Sequence, residues 1–331
     1  MTYDRPWKSF NEQLALLKMR GMSVTDEEAA INYLERVGYY RLSGYWYPFR
    51  QFSIHQDPKT KALQTNVSDQ FHLNTHFSDA VELYLFDKKL RLLVLDALER
   101  VEVAIRVDIA YLLGKRNTFA YLDQSQFHPG FSNKKFYGVP AFLAWQQKYL
   151  GLVNRSKKKE DFVKHYLSTH GENLPIWVAV EVWDFGALSQ LFAMMKVPDQ
   201  EKIAAKYGVN DFKVFASWLR SLNHLRNIAA HHSRLWNRNI VDQPKLPELG
   251  EIRWCDGFIG KSDLIAKPFL LFAILRHIVR EICPNTQWHH RLALLLDDFP
   301  IIQSDNKRTI ADIGVVEGWS AWWSDVEESK Q

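Results

Sequence analysis

Cysteine is nearly absent from this chain: Cys255 and Cys283 are the only two in 331 residues, with no CxxC spacing. That scarcity argues against a disulfide framework and a cysteine-held zinc site, and it fits a reducing compartment. Long apolar runs are missing as well. The longest, Pro268 to Leu275, falls far short of the roughly 20 residues that cross a bilayer. The opening Met1-Thr2-Tyr3-Asp4-Arg5-Pro6-Trp7-Lys8 has no apolar segment of the secretory kind. A cytoplasmic protein without a membrane association is the expectation. No glycine-rich loop of Walker or dinucleotide type occurs, which argues against an NTPase or a dehydrogenase, and no cofactor is expected. Excess charge is small. A net +4 permits an anionic partner without demanding one, so positive residues would have to be gathered locally.

What the chain has in quantity is rings: 12 Trp, 13 Tyr and 20 Phe, many beside Arg or Lys. Such side chains pack cores, and they also stack on unpaired bases. Hydrophobic residues at 47% and charged ones at 24% are ordinary for a folded soluble protein with a substantial core.

Helical periodicity dominates. Residues 8–37 read as two short helices, the first ended by Gly21 and the second opened by a Thr25/Glu28 capping box. An aromatic stretch follows from Tyr39 to Arg50, broken by Gly44 and Pro48, and residues 53–75 read as a polar surface loop. Asp79 to Leu113 contains neither Pro nor Gly, so one helix of about 50 Å is predicted, with an apolar stripe at Val94, Leu98, Val101 and Ile105 and a stop at Gly114. Residues 115–140 look irregular and 141–153 helical. Pro175 opens a helix to about Met195, bent at Gly186. Asp211 is the expected N-cap of a helix over 212–232. Segments 263–283 and 287–297 look helical around Pro284, and the chain ends in an acidic tail. Strand alternation is scarce, so the fold class is all-α. Three regions are expected: an N-terminal helical and aromatic module (1–75), a helical core (76–245) and a C-terminal helical region (246–331).

Chemistry concentrates in Leu225-Arg226-Asn227-Ile228-Ala229-Ala230-His231-His232-Ser233-Arg234-Leu235-Trp236. An arginine, an amide and a histidine fall within about one and a half turns, the set needed to hold a phosphate and move a proton beside it. At 100° per residue, Phe215, Trp218, Leu219, Leu222, Leu225 and Ala229 share one apolar face, and Arg226 projects onto it. A guanidinium there demands an anionic partner. Two readings compete. In one, Arg226 and His231 are structural, capping a helix end and pairing with acids such as Glu99 or Glu102. In the other, His231 transfers a proton at an RNA 2′-hydroxyl or a leaving 5′-oxygen, Arg226 neutralises the phosphate, Asn227 orients the histidine, and His232 is an alternate base. The catalytic reading requires no metal, and no carboxylate or cysteine stands at ligand spacing from the His231-His232 pair.

The pattern R-N-x-x-x-H resembles the R-x-x-x-x-H signature of HEPN-type ribonucleases. With its flanks the chain resembles, more narrowly, the abortive-infection family of the AbiD/AbiF type. Arg20-Gly21-Met22 with Asp26 and Tyr39 through Phe49 look like that family's N-terminal signature. Leu83 through Arg91 and Glu99 through Arg106 look like its long-helix blocks. Pro175-Ile176-Trp177 with Glu181 and Phe185-Gly186 resembles its mid-chain block, and Leu225 through Arg238 its HEPN block. The resemblance spans roughly residues 10–240. It implies a HEPN-like helical bundle with an N-terminal extension and a C-terminal helical region. It also implies a phage-defence endoribonuclease that arrests growth when active, under restraint by a small non-coding RNA in the manner of a toxin–antitoxin system. HEPN ribonucleases pair two motif helices, and this chain carries one, so a homodimer is expected. The rival reading is a non-catalytic RNA-binding or protein-interaction module of such a system.

Other candidates lie outside the motif. Glu102 and Arg106, spaced i, i+4, would ordinarily be a surface pair, but could support Arg226. Arg41 and Arg50 in the aromatic stretch, Arg234 after the motif, and the run Arg155, Lys157, Lys158 and Lys159 are candidate RNA contacts. The bland alternatives are an aromatic mini-core for the first group and a solvated loop for the run.

Overall fold

The computed structural model describes residues 6–324 except residue 59; the expected acidic tail lies outside the described residues. Helix α1 (Phe10–Met19) starts at a capping box in which Ser9 and Glu12 satisfy each other's backbone N–H. Helix α2 (Glu27–Arg36) is capped by Asp26, whose carboxylate accepts from Ala29 N at 2.9 Å. Asp26 therefore takes the place expected for Thr25.

The aromatic stretch is not broken at Gly44. It forms helix α3 (Tyr39–Trp46), which buries Leu42, Tyr45 and Trp46. Pro48 sets its end, because it has no N–H to offer the carbonyl of Gly44 one turn earlier. The mini-core reading holds for these rings. Where a polar loop over 53–75 is expected, the chain instead forms an antiparallel hairpin, β1 (Arg50–Gln56) with β2 (Leu63–Phe71). Both strands are exposed along nearly their whole length, and their apolar alternation is brief, Phe52 with Ile54 on one strand and Leu63 with Val67 on the other, set among polar residues. A minimal second pair joins Lys135–Phe136 to Val139–Pro140. The fold is mostly helical rather than purely so.

Helix α4 (Phe77–Gly114) is the axis of the molecule. Its stripe of Val94, Leu98, Val101 and Ile105 is buried as expected. Gly114 is the last helical residue, but no left-handed turn marks the stop, and what requires glycine there is space. A Cβ there would stand 3.0 Å from Ile176 Cγ2 and 3.7 Å from the Trp177 ring.

Helix α5 (Ala141–Ser156) matches its expectation and runs three residues longer. Helices α6 (Asp161–His170) and α8 (Val197–Lys206) were not anticipated. Between them, Pro175 opens only a single turn, Ile176–Ala179, continued by a 3-10 turn. The break falls at Trp183 rather than Gly186. Asp184 restarts the chain as α7 (Phe185–Met194) by accepting from Ala187 N at 2.7 Å.

Helix α9 (Phe212–Ala230) carries the motif and packs on α4 and α7. The C-terminal helices α10 (Pro268–Ile282) and α11 (Trp288–Asp297) also pack on α4. Trp288 Nε1 donates to Leu93 O at 2.7 Å, and Arg276 holds the carbonyls of Trp322 and Trp323 on α12 (Trp319–Ser324). One hydrophobic core runs from Leu14 to Trp323. Among the described residues no helix is long and apolar enough to cross a membrane.

Candidate functional site

Asp211 caps α9 by accepting from Lys213 N at 2.7 Å. Phe215, Trp218, Leu219, Leu222, Leu225 and Ala229 are all fully buried, so the projected apolar face is correct. The helix stops at Ala230, two residues before the expected end. His231 is the C-cap, and His232 follows with φ 56°. His232 N donates to Ala229 O and Ser233 N to Ile228 O, at 3.1 and 3.0 Å. This is a Schellman closure in which a histidine occupies the left-handed position usually held by glycine. Asn227, His231 and His232 are exposed and Arg226 is half-buried.

On the side of Arg226 lies a cluster of charges from three other helices. Glu102 and Arg106 of α4 pair at 2.6 Å, with side chains only 14% and 17% exposed, so this is no solvated surface pair. Arg106 also donates to Trp183 O at 2.8 Å and stands 3.8 Å from Glu181. Lys148 of α5 pairs with Asp184 at 2.8 Å. Burial pushes the Glu102 carboxyl above its usual range, against the opposing charges of Arg106 and Arg226. Burial pushes Asp184 up too, but the Lys148 hydrogen bond, the Ala187 N–H and the charges of Lys148 and Arg226 prevail and hold it low. Arg226 thus acts electrostatically on both carboxyls. Among the described residues it nevertheless forms no ion pair within 4.0 Å and no hydrogen bond of its side chain. Of the structural alternative, the pairing of Arg226 with Glu99 or Glu102 is not formed as a contact, whereas His231 does stand at the helix end as its C-cap, through its backbone N–H.

The loop after the motif is held by a second group. Asp87 of α4 is fully buried and accepts from Leu235 N at 3.1 Å, Trp236 N at 2.8 Å and Tyr45 Oη at 2.7 Å, and pairs with Arg91. Arg41 of α3 donates to His232 O at 2.8 Å, and Arg234 donates to Gly44 O. That is the carbonyl Pro48 leaves without an N–H, so the sequence G-Y-W-Y-P creates the acceptor that Arg234 fills. Burial lowers the Arg234 pKa, Tyr45 and Asp87 oppose that shift, and the nearby charge of Arg238 adds to it.

The site residues therefore fall into groups. Arg226, Glu102 and Arg106 come together, as do Arg41, His232 and Arg234. Among the described residues the His231 side chain makes no hydrogen bond or ion pair. Arg50 is turned toward β2, where it pairs with Asp69 at 3.1 Å. Arg155, Lys157, Lys158 and Lys159 are exposed at the end of α5 and the turn after it. Asp87, Arg91, Tyr45, Asp184, Lys148 and Arg238 were not singled out from sequence. The available signal was Asp87 with Arg91, an i, i+4 pair of opposite charge in register with the buried positions Leu83, Leu90 and Val94 of α4.

A family model described as Abi-like protein matches residues 32–237, more than half of the chain. The chain belongs to this family. The matched span begins within α2 and ends one residue past Trp236, so it contains the whole Arg226 cluster and both sides of the Asp87 clamp. Membership in the Abi-like family implies an abortive-infection, phage-defence role. No match was found among curated proteins or among solved structures.

Proposed function

We propose that this Abi-like protein is a metal-independent endoribonuclease of the HEPN kind and the AbiD/AbiF type, arresting growth when active and restrained by a small RNA. Arg226 would neutralise the phosphate as its charge grows, and His231 would move the proton, with Asn227 in support and His232 as alternate base. Glu102 and Arg106 would act behind Arg226 as positioning residues. The observation that carries this reading is Arg226 itself. It is half-buried among charges and yet free of any ion pair within 4.0 Å among the described residues, so its charge stays available to a phosphate. His231 lies exposed at the end of the same helix, open to substrate. The left-handed His232 is a second support, because strained backbone persists where a particular side chain is needed. A homodimer would bring a second histidine, so that one acts as acid and the other as base.

The test is growth after induced expression of wild type, Arg226→Ala and His231→Ala, with total RNA sequenced for new 5′ ends. Arrest with fresh ends in the wild type, lost in both variants at equal protein level, is expected. Arrest without new ends in any strain would favour the binding module, which the cations around the His232 loop also suit.

A further inference from the structure

We infer that Tyr40 is a base-stacking, specificity-determining residue that holds an unpaired RNA base beside the His231–His232 turn. The inference rests on the RNA-directed reading above but not on cleavage. Each other ring of α3 has a partner or a core position. Tyr39 sets its ring edge against Trp46 at 5.0 Å and accepts a hydrogen bond from Arg20. Tyr45 and Trp46 are buried. Tyr40 is 92% exposed, and among the described residues its side chain has no hydrogen bond or ring contact. Folding gives no reason for an aromatic ring at that place.

Its location supplies one. Tyr40 and Gly44 are spaced i, i+4 and lie on one face of α3. Gly44 is where Arg234 binds, and Arg41, the next residue, binds the carbonyl of His232. Tyr40 is therefore one helical turn from the Arg234 contact, on the helix that Arg41 ties to the turn carrying the motif histidines. Cations gather at the same place. Arg41, Arg234 and Arg238 form no ion pair within 4.0 Å among the described residues, and Asp87, the acid whose charge reaches Arg234, is buried and already paired with Arg91. Guanidinium groups beside a free ring suit a single strand, with phosphates on the cations and a base on the ring face. A duplex keeps its base faces stacked and would not use the ring.

Binding of a fluorescently labelled, randomised 12-nucleotide single-stranded RNA at fixed salt tests this, with every protein carrying His231→Ala so that cleavage cannot intervene. Tyr40→Ala is expected to weaken binding roughly ten-fold or more. Tyr40→Trp should match or exceed the parent, Tyr40→Leu should not rescue, and binding of the same pool annealed to its complement should be indifferent to residue 40. Equal affinity of Tyr40→Ala and parent, rescue by Leu, or no RNA binding by the parent would each overturn the proposal. Ring-dependent binding by a protein whose wild type never cuts RNA would sink the ribonuclease reading and leave this one standing.

Discussion

Asp87 Oδ1 accepts a hydrogen bond from Trp236 N at 2.8 Å, joining residues 149 apart in sequence. Leu235 N, Tyr45 Oη and Arg91 converge on the same carboxyl. Every one of these neighbours is a donor, so the group serves only as an acceptor. Burial pushes its pKa up, while the Arg91 charge and the donors pull the other way. Removing the carboxylate strands Arg91 in the core. Asp87→Ala is therefore expected to cost about 3–5 kcal/mol, and Tyr45→Phe, which removes one donor of several, about 1 kcal/mol. Urea midpoints at unchanged slope measure both. Equal losses would mean that the clamp is not centred on Asp87.

His232 offers a prediction of opposite sign. Its φ of 56° is costly for a residue with a Cβ, by roughly 1 kcal/mol. Its Schellman bonds come from backbone alone. His232→Gly is expected to raise the urea midpoint, a gain of up to about 1 kcal/mol. A loss of stability would show that the imidazole has a structural task, and would remove the strain argument for its functional one.

How much of this was legible depended on whether the signal was local. Helices α4, α9, α10 and α11 were readable because apolar residues recur at helical spacing between clear stops. The β1–β2 hairpin was not, since both its faces meet water and only a few apolar residues, such as Phe52, Ile54 and Val67, alternate within a polar segment. Helix α3 was misread because Gly44 and Pro48 look like breakers. One is tolerated within the helix and the other lies beyond its end. The apolar face of α9 was read from spacing, and Arg226 was projected onto that face; the structure leaves it half-buried. The Asp184–Lys148 pair and the Arg234–Gly44 bond join distant segments, and no local pattern announces such contacts.

Acid should loosen the packing of α10. His277 Nε2 donates to Tyr207 O at 2.8 Å, and Nδ1 accepts from Trp254 Nε1 at 3.4 Å. The bond at Nδ1 requires the neutral ring, whereas the donation from Nε2 survives protonation and opposes the shift; burial prevails and lowers the pKa to about 4 from 6.5. The unfolded chain then binds the extra proton first. Stability contributed by neutral His277 is fully present above pH 6.5 and is lost as pH falls toward 4, with a slope of up to about 1.4 kcal/mol per pH unit. Urea midpoints at pH 7.5, 6, 5 and 4.5 should decline, and the decline should be shallower in His277→Gln. The same slope in that variant would assign the acid sensitivity to other groups, such as His289, whose pKa burial also lowers to about 4.

Arg226 and Arg106 separate function from stability most directly. Arg106 is committed to Glu102 and to Trp183 O, and it approaches Glu181. Arg106→Ala strands a carboxyl and a carbonyl and is expected to cost about 1–3 kcal/mol. Arg226 acts on Glu102 and Asp184 only through space. Arg226→Ala would allow the Glu102 carboxyl to rise further without breaking any contact, so its midpoint should stay within about 0.5 kcal/mol of the parent. The well-folded variant should nevertheless fail to arrest growth or to generate new RNA 5′ ends. If instead Arg226→Ala unfolds as readily as Arg106→Ala, the guanidinium is there to hold the helices together, and the ribonuclease reading loses its main support.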